Sequence, residues 1–308
     1  PGPGAGKAFV VRLGGRKIYE SDPAADDLDR PYSFTPVDES TPDGLFQSGE
    51  KAEKGRYFDQ ALEKYLACLA RDPLHIRALI RTAELYARRG EYATAREYVR
   101  KALSLDQYDP EANLVYGTIA RRIGALNDAK EAFGWAARSM EFRSAAYQRL
   151  AETALVEGDS NLAVDYARKS IEVNAHNSGS YEILAAAHRK AGRSAEAKAA
   201  LARLLEFSPL DHLARFELYL LDRNPKALEE FKSLIRNELP HETYIEMALS
   251  YMRLNLDDDA QTLLESAPEH PTVCAMLAFF TRNESLEKSE AYLDKIDSLS
   301  PRLVFPHR

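Results

Sequence analysis

Cysteine is nearly missing from this chain: 308 residues hold only Cys68 and Cys274, 206 positions apart. Neither belongs to a C-x-x-C or any other metal-type spacing, which argues against a disulfide framework and a zinc site. Both read as small buried apolar residues, and cytoplasm and periplasm stay equally open as compartments. Also missing is any apolar run near the roughly 18 residues that a membrane helix needs, so no membrane insertion is expected. Nor is there an excess of positive charge. Lysine and arginine number 41 against 48 acidic residues, a net charge of −7, and a general nucleic-acid binder would carry the opposite sign. Tryptophan occurs once, as Trp135, off the apolar stripe of its segment, where packing between neighbouring units is its expected role. No signal peptide is visible and the chain opens on Pro1, which predicts a piece of a longer protein.

Catalytic patterns are as scarce. Gly4-Ala5-Gly6-Lys7 resembles a phosphate-binding loop, but Pro1 stands where its first glycine belongs and Ala8 where a magnesium-binding Ser or Thr belongs. Asp257-Asp258-Asp259 lacks the alternating ligands, the glycine and the distal glutamate of a calcium loop. Negative charge at a helix start accounts for it instead. The seven histidines are dispersed, with no H-E-x-x-H, and His188 falls at a position packed by Tyr86 and Ala120 elsewhere. No carboxylate pair stands out for acid–base work. The expectation is a non-enzyme with no cofactor and no metal.

What the chain does have is a period. Ala61, Ala95, Ala129, Ala163 and Ala197 are each 34 residues apart, and Gly90, Gly124, Gly158 and Gly192 keep the same interval. Tyr65, Val99, Phe133, Ala167 and Leu201 follow in phase, as do Leu79, Asn113, Tyr147 and Tyr181. Apolar residues at i, i+3, i+4 and i+7 mark two amphipathic helices of about 13 residues per unit. The glycine sits where the first helix (A) ends, in a left-handed conformation that costs least for Gly. Small residues such as Ala83 and Gly117 mark where helix A meets the second helix (B) closely. Asp72-Pro73, Asp109-Pro110 and Ser208-Pro209 separate units. After Ala197 the period slips to 30 at Ala227 and 33 at Ala260. Asn224-Pro225 replaces a glycine turn in that short unit, which predicts a local bend.

These residues resemble the tetratricopeptide repeat, most closely in Ala83-Glu84-Leu85-Tyr86-Ala87-Arg88-Arg89-Gly90-Glu91-Tyr92-Ala93-Thr94-Ala95. The resemblance implies an all-α, right-handed α–α superhelix of about eight helix pairs. Five regular units are expected over 42–209 and about three degenerate pairs over 210–308, with the array cut short at the C-terminus. Residues 1–41 lie outside the repeat, as an extended segment and linker with a hairpin over 8–19 around Gly14-Gly15. Gly14-Gly15-Arg16-Lys17-Ile18-Tyr19, Asp29-Arg30-Pro31 and the unit from Ala129 to Met140 are similar to large bacterial proteins of unassigned activity. In those proteins a β-rich, sugar-mutarotase-like domain precedes the array. By that likeness any carbohydrate activity belongs to a domain outside this chain, and the array is its accessory or oligomerisation module.

The first resemblance also implies that A helices line a concave groove holding a protein or peptide. The expected lining includes Arg77, Ile80, Arg81, Glu84 and Arg88, then Leu114, Thr118, Arg121 and Arg122, then Gln148, Arg149 and Glu152, then Glu182, Arg189 and Lys190. Its basic members, Arg77, Arg81, Arg88, Arg121, Arg122, Arg149, Arg189 and Lys190, make an acidic peptide or another domain of the same protein the expected partner. Those near helix ends equally offset the helix dipole. The family's clamp for chaperone tails uses Lys and Asn at helix-A places that hold Ile80, Glu84, Leu114 and Thr118 here, so that ligand is not expected.

Overall fold

The computed structural model describes residues 9–21, 37–300 and 304. The Gly4–Lys7 sequence, Asp29-Arg30-Pro31 and most of the proposed linker lie outside them. Sixteen helices follow one short hairpin among the described residues. Its strands β1 (Val10–Leu13) and β2 (Arg16–Glu20) pair antiparallel across Gly14 and Gly15, both at positive φ, with a register shift after Val11. Leu13, Ile18 and Tyr19 on this hairpin are exposed.

The helices come in antiparallel pairs. The first three are α1 (Pro42–Lys54) with α2 (Phe58–Arg71), α3 (Ile76–Arg88) with α4 (Tyr92–Leu105), and α5 (Pro110–Arg122) with α6 (Leu126–Ala136). Next come α7 (Arg143–Val156) with α8 (Ser160–Val173) and α9 (Ser178–Lys190) with α10 (Ser194–Phe207). The last three are α11 (His212–Asp222) with α12 (Pro225–Leu234), α13 (Pro240–Arg253) with α14 (Asp257–Glu265), and α15 (Pro271–Thr281) with α16 (Leu286–Ser298). The first helix of a pair starts on a side-chain cap in several units. Asp109 accepts from the Ala112 N–H at 2.7 Å ahead of Pro110, and Asn177 and Asp211 do the same for α9 and α11.

Each A-to-B turn in the first seven pairs contains one residue in the left-handed region. Gly90, Gly124, Gly158 and Gly192 supply it in four turns, at φ from 72° to 82°. A Cβ there would meet no atom within 4 Å, so the backbone angle and not space selects glycine. Arg56 holds the same place one period earlier, at φ 61°, and Arg223 and Asn255 hold it in the irregular units.

Side-chain size alternates across each hairpin. Gly49 faces the ring of Tyr65, and Gly117 faces that of Phe133. A Cβ at either would sit 2.5 or 2.6 Å from ring carbon, closer than packed atoms come. In the pairs between and after, Ala83 shares a cluster with Val99, Ala151 with Ala167 and Ala185 with Leu201. Glycine thus appears opposite an aromatic ring and alanine opposite a smaller side chain. Buried clusters run along the stack, one spanning Ala151 to Ala214 and another Ala186 to Leu277, so each hairpin completes its core on the next. Ala61 and Ala95 occupy matching places in α2 and α4 and are fully buried, as the period requires. No described helix is long and apolar enough to cross a membrane.

Candidate functional site

The A helices bring the predicted basic residues to one side of the array but not into one free strip. On α3, the guanidinium of Arg77 lies 4.5 Å from the Phe46 ring centre and bonds Glu50 at 2.9 Å. Arg81 is wedged among carboxylates. Its Nε and one Nη bond Glu53, its other Nη meets Glu84 at 2.7 Å, and Glu111 stands 3.6 Å away. Burial opposes the Arg81 charge, yet these partners hold its pKa above the ordinary arginine value. Tyr65 donates to the same Glu53 at 2.7 Å, tying the guanidinium into the first core. Arg88 is exposed over Phe58, 4.4 Å from the ring centre. A hollow of about 320 Å³ lies here between Glu50, Glu53, Lys54, Arg77, Arg81 and Glu111. Ile80, expected in the lining, is instead fully buried in the core with Ala83 and Val99, because it falls on the apolar stripe of α3.

The other basic residues meet a different fate. Arg121 at the end of α5 bonds Glu152 at 2.9 Å and donates to the carbonyl of Arg253, 132 residues further on, at 3.0 Å. Burial pushes its pKa down, with Glu152 opposing. Arg149 bonds both oxygens of Glu152, at 2.8 and 2.9 Å. Arg122 points into solvent and has no ion-pair partner among the described residues. Arg189 at the end of α9 forks onto Glu217 of α11, at 2.8 and 2.9 Å, and onto Asp259 of α14, at 2.8 and 3.2 Å. Lys190 reaches Asp259 at 3.3 Å, and the buried Tyr251 donates to Glu217 at 2.9 Å. Here too burial works against the Arg189 charge, and the two carboxylates outweigh it to raise the pKa.

The Arg189–Asp259 contact spans the short sixth hairpin. The helices of this hairpin have 11 and 10 residues where regular units have mostly 13 or 14, and it lies between the fifth and seventh pairs. Asp259 of α14 meets Arg189 of α9 beyond it, and the carbonyl of Arg253 on α13 reaches Arg121 of α5. Between α7, α9, α11 and α13 a pocket of about 240 Å³ remains, with Arg149, Glu152, Glu182, Ser250, Tyr251 and Arg253 in its wall. Sequence reasoning did not find Glu217, Tyr251 or Arg253 as partners of the groove residues. The slipped period between Ala197 and Ala260 was the signal, since a shortened unit changes which units touch.

Away from these basic residues, Trp135 packs at 4.8 Å from Tyr108 of the preceding inter-unit loop, with Arg138 stacked on it at 4.1 Å. His188 is buried and its Nδ1 accepts from Arg193 at 2.9 Å, a satisfied core histidine. Cys68 and Cys274 are buried free thiols, and burial pushes the Cys68 thiol up to about 11. Among the described residues no group of three or more metal-ligating side chains converges.

Comparisons with known proteins agree with the fold. The family model for the tetratricopeptide repeat matches residues 76–119, which span α3, α4 and most of α5. Comparison with curated protein sequences gives no match. Among solved structures, PilW, a widely conserved type IV pilus biogenesis factor, aligns over 72% of this chain and 98% of its own at 19% identity and TM-score 0.58. Pseudomonas aeruginosa PilF aligns over 72% and 95% at 18% identity and TM-score 0.56. A tetratricopeptide repeat protein from Parabacteroides merdae covers 85% of this chain and 94% of its own, at 13% identity and TM-score 0.53. At such identities the likeness speaks for the fold alone: helix pairs stacked as in tetratricopeptide-repeat solenoids, with the repeat model itself matching one unit and the start of the next.

Proposed function

We propose that this chain is a non-catalytic scaffold that holds a segment of another polypeptide, or of a neighbouring domain, against the open concave face of its first three helix pairs. One observation carries this reading. Arg77, Arg88 and Arg122 stay exposed on A helices, and Arg77 and Arg88 are already oriented by Phe46 and Phe58, while Arg121, Arg149 and Arg189 are taken up by carboxylates of the array itself. A guanidinium resting on an aromatic ring has lost part of its rotamer freedom, so little more is lost when it bonds a carboxylate or a carbonyl. Arg81, Arg121 and Arg189 belong to the architecture in this reading, since each is consumed by carboxylates of the array itself.

The test reverses exposed charges only. Arg77→Glu with Arg122→Glu leaves every buried ion pair in place and is expected to weaken capture of a purified partner by at least about tenfold, with salt acting in the same direction. Unchanged retention by a variant of native circular dichroism sinks the proposed face.

A further inference from the structure

We propose that a hollow between α4, the loop after it, α5 and α6 binds an arginine side chain of a partner polypeptide, at a second site that shares no residue with the basic face. The hollow has a volume of about 360 Å³, and Tyr108, Tyr116 and Trp135 give its wall three aromatic rings. Asp128 and Glu131, three positions apart on α6, add two carboxylates to the same wall. No lysine or arginine among the described residues lines it. Rings and carboxylates together favour a cation. A guanidinium, planar and weakly hydrated, stacks on the rings and forks onto the carboxylates, which an ammonium does less well.

The oxygens in this wall are short of donors. Glu131 is exposed and makes no hydrogen bond or ion pair among the described residues. Asp128 accepts one bond, from the Tyr116 hydroxyl to its Oδ2 at 3.0 Å. Asn113 is buried, and its Nδ2 donates to the carbonyls of Gln107 at 2.9 Å and Asp109 at 2.8 Å, which leaves its Oδ1 without a donor. A guanidinium brings five N–H donors to such a set. The repeat shows what is missing. Where other units place Lys101, Lys169 and Arg203, the third unit places Trp135. In the next unit the ammonium of Lys169 lies 5.4 Å from the Tyr166 ring centre and 5.8 Å from that of Tyr147, so that unit supplies its own cation to its rings. The third unit has the rings and the carboxylates, and an indole where that cation would start. Nearby basic residues do not fill the gap. Arg138 lies on the Trp135 indole without entering the wall, and Arg96 and Arg100 of α4 act on the Tyr116 hydroxyl without bonding Asp128 or lining the hollow.

Trp135 is the chain's one tryptophan, so its fluorescence reports on this site directly. The full chain is titrated at constant ionic strength with acetyl-Gly-Gly-Arg-Gly-Gly-amide, and Trp135 emission is followed. A single side chain binds weakly, so the titration runs to about 50 mM peptide. The expected result is a saturable change in emission. The same peptide with citrulline in place of arginine, alike in shape but uncharged, is expected to bind at least about tenfold more weakly, and so is the lysine peptide. The Glu131→Gln protein is expected to lose a similar factor towards the arginine peptide. Glu131 bonds nothing within the array, so this variant keeps the fold, which circular dichroism checks. No saturable change overturns the assignment. Equal binding of the citrulline or the lysine peptide overturns it as well, as does unaltered binding by Glu131→Gln. The scaffold reading is untouched by any of these results, because its own test reverses charges that this hollow does not contain.

Discussion

Single residues in this array answer to backbone angle or to a facing ring, and the two demands separate cleanly. Gly90, Gly124, Gly158 and Gly192 answer to the angle, with empty space where a side chain would go. Arg56 meets the same angle, φ 61°, without being glycine. A non-glycine residue there costs about 1–2 kcal/mol, and glycine returns about 0.5–1 kcal/mol of that through its freer unfolded chain. Arg56→Gly is therefore expected to stabilise the first hairpin by about 0.5–1 kcal/mol in urea denaturation. A loss of stability would mean that the Arg56 side chain contributes more than its backbone costs.

Between helices the deciding quantity is the summed bulk at one crossing. Gly117 of α5 and Phe133 of α6 share that crossing, and a Cβ on Gly117 would lie 2.6 Å from the ring. Overpacking costs about 1–3 kcal/mol, while alanine gains about 1 kcal/mol over glycine as a helix former. Gly117→Ala is thus expected to lose on the order of 1 kcal/mol net, and Phe133→Leu in the same chain to recover part of it. Additive losses in the double variant, measured by denaturation, would show that the two residues do not share the crossing.

Across the whole molecule, the stack is closed by charge pairs between units that are not neighbours in sequence. Arg189 joins the fifth, sixth and seventh pairs through Glu217 and Asp259, both buried. Removing it strands two carboxylates away from water, a cost of about 3–5 kcal/mol. Because repeats depend on their nearest neighbours, the damage stays local. Arg189→Ala is expected to speed amide hydrogen exchange in α11 to α14 while α1 to α6 keep wild-type protection. Uniform acceleration along the chain would contradict this account of the closure. Glu182 adds a pH term of its own. A raised carboxyl pKa stabilises the fold below the unfolded value of 4.5, and that contribution is lost as pH climbs towards about 8.

The sequence by itself determined the hairpin unit, its length and its place in the superhelix, because those follow from local spacing. Ala61, Ala95, Ala129, Ala163 and Ala197 needed no coordinates to be assigned to one face. It also displayed the eight basic residues of the A helices, but not what each one meets. Arg81 and Arg122 look alike in sequence; one is wedged among three carboxylates and the other is in solvent. Only the tertiary structure decided that, because the partner of Arg189 lies 70 residues away across a shortened unit. A change of a few residues in α11 and α12 leaves each helix's own pattern intact. It nevertheless resets which units touch, and with that which charges are left for another molecule.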